Sequence, residues 1–212
     1  MPFIVFEGLD GSGKSSLMSA FERELQSKGL KTIRTREPGG TPLGDEIREM
    51  ILRRDGPAPT PRTELLLYEA SRAQHVDQVI RPHLEKNDWV LCDRFSASSV
   101  AFQAGGRAIS EDWVEKLNDF ATDGLKPELT VLLDLSVGES RRRRNNRESQ
   151  GGEKEDRIES EADSFHERVR QAFLRQAQQD PKHWLVLNAG ATPEELLKQL
   201  NEHVRSLKWL GF

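Results

Sequence analysis

Apolar positions along the chain fall into two rhythms. Five short runs, Phe3–Phe6, Lys31–Arg36, Trp89–Cys92, Leu129–Leu135 and Trp184–Leu187, have the length and composition of strands. Between them apolar residues recur every three or four positions. That spacing predicts helices over Ser15–Lys28, Leu43–Leu52, Thr63–Glu85, Ser98–Gln103, Ser110–Asp123, Gly138–Asn145, Glu161–Gln179 and Pro193–Lys208. The last opens with Thr192-Pro193-Glu194-Glu195, an N-cap residue followed by proline and acids. Strands alternating with helices predict an α/β fold with a five-stranded parallel sheet covered on both faces. The polar stretch from Asn145 to Asp156 breaks the rhythm and is expected to be a mobile loop. With no repeat or low-complexity linker, residues 1–212 are expected to form one domain.

The first junction carries the chemistry. Gly8-Leu9-Asp10-Gly11-Ser12-Gly13-Lys14-Ser15 comes after a predicted strand and leads, through Ser16, into a predicted helix. This is the phosphate-binding loop pattern in the context it requires. Glycines let backbone wrap phosphate oxygens closely, and amides at the helix start supply donors and the positive end of the helix dipole. Lys14 adds a point charge for terminal phosphates, and the Ser15 hydroxyl is a ligand for Mg²⁺.

Two later junctions point to the same edge of the sheet, where ligands bind in open α/β folds. Thr35-Arg36-Glu37-Pro38-Gly39-Gly40-Thr41 comes after the second predicted strand, although a Pro-Gly-Gly turn has a purely conformational reading too. The third strand ends in Asp93-Arg94. An acid there can hold Mg²⁺, and the arginine can clamp a phosphate bidentately. Asp134 ends a similar run and is the rival metal ligand. Asp93 is preferred because Arg94, Ser96, Ser98 and Ser99 come directly after it, whereas Asp134 reads as structural.

Composition narrows the classes. Against 31 basic residues stand 35 acidic ones, a net charge of -4 that offers no general attraction for nucleic acid. No run approaches membrane-spanning length, no secretory leader precedes the first strand, and the single cysteine, Cys92, cannot form an internal disulfide. A cytoplasmic setting is expected.

Taken together, the motifs resemble bacterial thymidylate kinase, the enzyme that phosphorylates dTMP with ATP. They run in order: the phosphate loop, Thr35-Arg36-Glu37-Pro38-Gly39-Gly40-Thr41, Leu65-Leu66-Leu67-Tyr68-Glu69-Ala70-Ser71-Arg72-Ala73-Gln74, Asp93-Arg94-Phe95, Ala101-Phe102-Gln103-Ala104-Gly105-Gly106-Arg107 and Asp156-Arg157-Ile158-Glu159. The resemblance spans the chain and implies a P-loop nucleoside monophosphate kinase fold with a short lid at about residues 141–158. It implies that Tyr68 stacks on thymine, where relatives often carry Phe. Arg72, four residues on, would meet a thymine carbonyl. Gln103 would read the base edge, with Ser99 one turn before it and Phe102 beside the deoxyribose. Arg48 and Arg94 would bind the acceptor phosphate, Asp10 would lie near the sugar 3'-hydroxyl, and Glu37 with Pro38 would border the acceptor. Glu37 and Asp93 would lie near the metal and phosphates. On the residues alone, Tyr68 and Phe102 can also be core aromatics and Arg48 a solvated surface charge.

Some family members carry an arginine in the phosphate loop where this chain has Gly11. Arg141-Arg142-Arg143-Arg144, Arg147 and Arg157 flank the polar stretch, and the resemblance implies the class whose lid supplies the missing charge. Such an arginine is worth roughly 10³–10⁵ in rate. Arg141 is assigned to the adenine side, Arg143 and Arg147 to the phosphates; the plain alternative is a solvated basic face. The expected catalytic set is Lys14, Asp93, Arg94, Arg143 and Arg147, with ATP as donor, Mg²⁺ as cofactor and a homodimer as the assembly. A deoxynucleoside kinase on the same scaffold is the alternative. A GTP-dependent switch would carry an Asn-Lys-x-Asp motif, which the chain lacks.

Overall fold

A computed structural model describes residues 2–152 and 154–207. The chain forms β1 (Phe3–Glu7), α1 (Lys14–Ser27), β2 (Thr32–Arg36), α2 (Pro42–Leu52), α3 (Pro61–His75), α4 (Arg81–Glu85), β3 (Trp89–Asp93) and α5 (Ser96–Ser99). It continues through α6 (Glu111–Thr122), β4 (Leu129–Asp134), α7 (Val137–Ser149), α8 (Asp163–Gln179), β5 (Trp184–Asn188) and α9 (Pro193–Ser206). Wider π-helical turns at Val76–Ile80 and Val100–Gly106 join α3 to α4 and extend α5.

The five strands are parallel in the order β2-β3-β1-β4-β5. Because β1 is central and the chain crosses first to one side of it and then to the other, the loops after β1 and β3 part at the carboxyl edge. That parting is where such sheets form their ligand crevice. Side chains alternate across the sheet. Ile4 and Phe6 of β1 pack with Leu17, Phe21 and Leu25 of α1 and Leu196, Leu200 and Val204 of α9. Phe3 and Val5 face the other way, onto Val76, Ile80, Leu84 and Phe95. A further cluster joins Phe102 to Phe165, Val169 and Phe173 of α8. Strand β1 has buried residues throughout, as a central parallel strand must, while the edge strands β2 and β5 are only partly covered.

Three helices differ from the periodicity reading. The predicted Ser98–Gln103 segment begins at Ser96 and continues as a π-helical stretch to Gly106, closed by Arg107 N–H donating to Phe102 O at 2.9 Å. Gly105 and Gly106 let this stretch lie against α8, where a Cβ on Gly106 would stand 2.4 Å from the Phe165 ring. The predicted Thr63–Glu85 helix begins at Pro61 and is interrupted by the π turn. Helix α7 does not stop at Asn145 but runs to Ser149, so the expected loop from Asn145 loses its first five residues to helix. Its ion pairs are invisible to apolar periodicity: Arg142 and Arg143 with Glu139, Arg144 with Glu155, Arg147 with Glu159. Glu153 of that loop, and Lys208 at the end of the last predicted helix, lie outside the described residues. None of the described helices is long and apolar enough to cross a membrane.

Candidate active site

The loop between β1 and α1 is shaped by three glycines in the left-handed half of backbone space, Gly8 at φ 134°, Gly11 at 78° and Gly13 at 95°. At Gly8 a Cβ would stand 2.5 Å from the Leu133 carbonyl oxygen, so close approach to β4 as well as conformation requires glycine. Gly13 is the N-cap of α1 and offers no side-chain cap. The first-turn amides are left for an anion, with the helix dipole behind them. Lys14 Nζ donates to the carbonyls of Gly8 at 3.1 Å and Leu9 at 3.3 Å, and lies 3.8 Å from Asp10. Gly11, Lys14, Ser15 and Ser16 line a cleft of about 360 Å³ together with Asp93 and Arg147. Buried Ser12 Oγ has no hydrogen-bond partner among the described residues.

The metal expectation fits the donors present. Ser15 Oγ donates to Asp93 Oδ2 at 3.2 Å, while buried Asp93 Oδ1 has no partner among the described residues. One hydroxyl and one open carboxylate oxygen beside a phosphate cradle suit Mg²⁺, which binds through few protein groups and completes its shell with phosphate and water. Both oxygens of the rival Asp134 are held by Arg170, at 2.6 and 2.9 Å, which leaves it the structural role read from sequence.

Arg94 joins this cradle to a second cavity. Its backbone lies at φ 70°, strained for a residue with a Cβ. Its Nη2 donates to Asp10 at 2.8 Å, and its guanidinium lies 5.0 Å above the Phe102 ring centroid. Desolvation opposes the Asp10 charge, but Arg94 and Lys14 outweigh it and hold the carboxyl well below the usual range. Beneath Arg94 lies fully buried Glu7, which accepts from Phe95 N at 2.9 Å and Ser98 Oγ at 2.7 Å. Burial pushes Glu7 up to about 7, against the pull of Arg94 and of those hydrogen bonds.

The second cavity gathers most of the residues expected to hold the acceptor. It is lined by Asp10, Glu37, Pro38 and Arg48, by Tyr68, Ser99, Phe102 and Gln103, and by Arg94. Arg48 is fixed by its bond to Pro38 O at 3.0 Å. Phe102 has both readings at once, since it walls the cavity and packs on Phe165 and Phe173. Desolvation, with Glu64 and Asp156 nearby, raises the Tyr68 pKa and keeps its phenol neutral. Glu37 borders both cavities, but its oxygens are engaged by Arg72 Nε at 2.8 Å and His75 Nδ1 at 3.0 Å.

Arg72 departs from its expected place. It does not line the cavity but backs its wall, 1% exposed, and donates to Glu37, Glu69, Ser99, Asn118 and the Phe95 carbonyl. A buried guanidinium requires such satisfaction, and five acceptors, one on its own helix and four from elsewhere in the chain, provide it.

The arginines of α7 divide by helix geometry, because residues two apart face opposite ways and residues four apart share a face. Arg143 donates to Gly11 O at 3.3 Å and Ala189 O at 3.0 Å, so it lies against the phosphate loop and the turn after β5. Arg147, one turn on, lines the phosphate cleft and pairs with Glu159. Arg141 instead pairs with Asp163 at the start of α8 and lines neither cavity. Of the two, Arg143 occupies the flank towards the β5 turn, while Arg141, expected on the adenine side, lies against α8.

Sequence reading passed over Glu7 and Glu64, and gave no role of their own to Arg144, one of the arginine run, or to Asp156, one of the quoted motif residues. Buried Arg144 donates to Ser140 Oγ and Glu155; Asp156 lines the second cavity and accepts from the amides of Ile158 and Glu159. Of the two passed over, Glu7 carried a sequence signal, a carboxylate at the end of an otherwise apolar strand immediately before the loop.

Comparison with known proteins converges on one family. The family model described as thymidylate kinase matches residues 6–200. A thymidylate kinase of Bdellovibrio bacteriovorus is 70% identical over 99% of this chain and 98% of its own length. Thymidylate kinases of a Synechococcus strain and of Pelobacter propionicus are 45% and 44% identical, covering 95% and 92% of this chain and 98% and 89% of their own.

Proposed function

The chain belongs to the thymidylate kinase family and is a phosphotransferase; we propose that it transfers the γ-phosphoryl group of ATP in line to a phosphate oxygen of dTMP, giving dTDP and ADP. One observation carries this reading. The phosphate cleft and the second cavity share Asp10, Glu37, Arg48 and Arg94 as a common wall, so a donor in one and an acceptor in the other meet across it. The acceptor oxygen is already ionised at neutral pH, since the second phosphate ionisation lies at about 6, and no general base is required.

Catalysis is then positioning and electrostatics. The amides at the start of α1 and Lys14 hold the donor phosphates, and Ser15 with Asp93 would hold Mg²⁺. Bound there, Mg²⁺ supplies positive charge to the oxygens of the transferring group. Arg94 turns from Asp10 to the acceptor phosphate, with Arg48 opposite. Arg147 meets the charge on the transferring group and takes the work that Gly11 cannot do. Arg143 flanks the donor base. Tyr68 stacks on thymine, Phe102 lies beside the sugar, Gln103 reads the base edge, and Arg72 acts mainly by holding Ser99 and Glu37 in place. The segment around 141–158 closes as a lid that excludes water. One methyl in an apolar pocket is worth only about 1–3 kcal/mol, so dUMP should be a poor substrate that is still turned over.

A cytoplasmic homodimer belongs to the same reading. Leu43 and Met50 lie seven apart on α2, Trp113 and Phe120 seven apart on α6, and all four, with Leu66 of α3 between them, are exposed. Residues at that spacing share a helix face, and an apolar face of this extent suits a second copy. The deciding experiment is a panel of nucleoside monophosphates with ATP and Mg²⁺, read by product identity. dTDP formed in preference to every other diphosphate supports the proposal; preferential phosphorylation of thymidine over dTMP rejects it in favour of a nucleoside kinase. Light scattering in solution at twice the mass of one chain supports the dimer, and a monomer rejects it.

A further inference from the structure

Helix α3 presents Glu64, Tyr68 and Arg72 at four-residue intervals on a single face, of which Tyr68 lines the acceptor cavity and the other two lie buried behind it. Tyr68 and Arg72 have roles in the proposed reaction, whereas Glu64 has none. It is 1% exposed, and a carboxylate so deeply buried demands partners. It receives Arg107 Nε at 3.1 Å, Arg107 Nη2 at 3.2 Å and Arg157 Nη2 at 2.5 Å. Loss of solvent opposes its charge, but these arginines outweigh that and keep its pKa below the usual value. Glu64 is therefore ionised at neutral pH and can only accept hydrogen bonds.

Its remaining neighbour is Gln103, also 1% exposed, whose Nε2 donates to Glu64 Oε1 at 3.0 Å. A side-chain amide can turn by 180°, exchanging donor for acceptor, and its neighbours decide the orientation. Here the alternative would set the Gln103 carbonyl against a carboxylate. Glu64 thus pins the NH₂ group inward and leaves the carbonyl oxygen as the end available to the cavity that Gln103 lines.

We propose that Glu64 is a specificity-positioning residue: by fixing the Gln103 amide, it makes the pocket present a hydrogen-bond acceptor to the base edge and so selects bases that carry an N3–H. Thymine and uracil carry that donor. Cytosine has an acceptor at N3 and meets oxygen against nitrogen lone pair. The 5-methyl group plays no part, so this selection is separate from the apolar one that favours thymine over uracil. The proposal rests on Gln103 facing the base, as in the proposed dTMP kinase function.

The test is Glu64→Gln, with kcat/KM measured for dTMP, dUMP and dCMP and with dCMP also titrated as a competitive inhibitor. An amide at position 64 can donate as well as accept, which frees Gln103 to turn. The dTMP-to-dCMP preference should fall by roughly tenfold or more, the worth of one hydrogen bond exchanged for a mismatch. The dTMP-to-dUMP preference should stay within about twofold, since the N3 edge is common to both. A Glu64 that only anchors Arg107 and Arg157 would lower all three substrates together, and an unchanged dTMP-to-dCMP ratio overturns the proposal. The exchange Glu64→Gln with Gln103→Glu keeps the total charge and serves if the single variant does not fold. A carboxylate at 103 presents an acceptor whichever way it turns, so this double variant should prefer dTMP over dCMP as the parent does. Loss of that preference also overturns the proposal. Failure of the parent enzyme to use dTMP would reject the proposed function instead, whereas active parent enzyme with an unmoved ratio rejects only the role of Glu64.

Discussion

The two cavities of this site are built from different materials. The phosphate cleft has a floor made of backbone: three left-handed glycines, an uncapped helix start and one lysine, all within eight consecutive residues. The acceptor cavity is made of side chains from the loops after β1, β2 and β3, from α2, α3, α5 and the π-helical stretch that extends it, and from the segment after α7. These are held by ion pairs and hydrogen bonds that converge on Arg72, Glu64 and Arg94. A cradle of amides recognises any phosphate chain. Discrimination among bases requires donors and acceptors fixed in orientation, and in this protein that is the task of a buried network.

The contrast can be broken at four points. Lys14→Ala removes the cationic side chain of the phosphate loop and should lower kcat by at least about 10²–10³ with the fold unchanged by circular dichroism. Near-normal turnover would remove Lys14 from the donor site. Arg94→Ala cuts the wall common to both cavities; the expected loss is about 10²-fold in kcat/KM for dTMP, with a smaller effect on the KM for ATP. An unaltered dTMP dependence would contradict its place at the acceptor. Arg147→Ala should reduce kcat by about tenfold or more while Arg141→Ala stays within about twofold, because only the former lines the phosphate cleft. Equal losses would show that position on α7 does not divide the arginines as described.

The fourth point concerns stability and pH rather than turnover. Glu7 has a folded pKa raised to about 7, so its protonated form is the one the fold favours. Its contribution to stability is complete below the unfolded carboxyl pKa of about 4.3 and is lost as pH rises to about 7, a change on the order of 3 kcal/mol. Glu7→Gln keeps a neutral amide among the same neighbours and should flatten the stability profile across that interval in denaturant titrations. A parent-minus-variant difference that does not change with pH would show that Glu7 is not the titrating group.

The same contrast explains what could be read from the chain. The phosphate loop was legible because its function lies in residue types at consecutive positions, and Asp93 was separable from Asp134 by the residues next in the chain, Arg94 and the serines after it. The α/β alternation predicted the parallel sheet. The four-residue spacing from Tyr68 puts Arg72 on the same helix face, but spacing does not report depth, and acceptors from distant segments, Glu37, Phe95, Ser99 and Asn118, hold it behind the wall. Glu64 looked like any helix acid until Gln103, Arg107 and Arg157 were seen around it. Helix α7 was cut short at Asn145 because apolar periodicity cannot register a helix whose neighbours are bound by charge.

The Asp10–Arg94 pair has a thermodynamic consequence for the two substrates. In the proposed function an acceptor phosphate would draw Arg94 away and leave Asp10 with Lys14, 3.8 Å distant, so the potential at the donor phosphates would change with it. Occupancy of either cavity would then be felt in the other. Whatever factor dTMP imposes on ATP affinity, ATP must impose the same factor on dTMP, and isothermal titration of each ligand with and without the other measures it twice. Asp10→Asn, which lifts the negative charge from the common wall, should move both factors together and towards one.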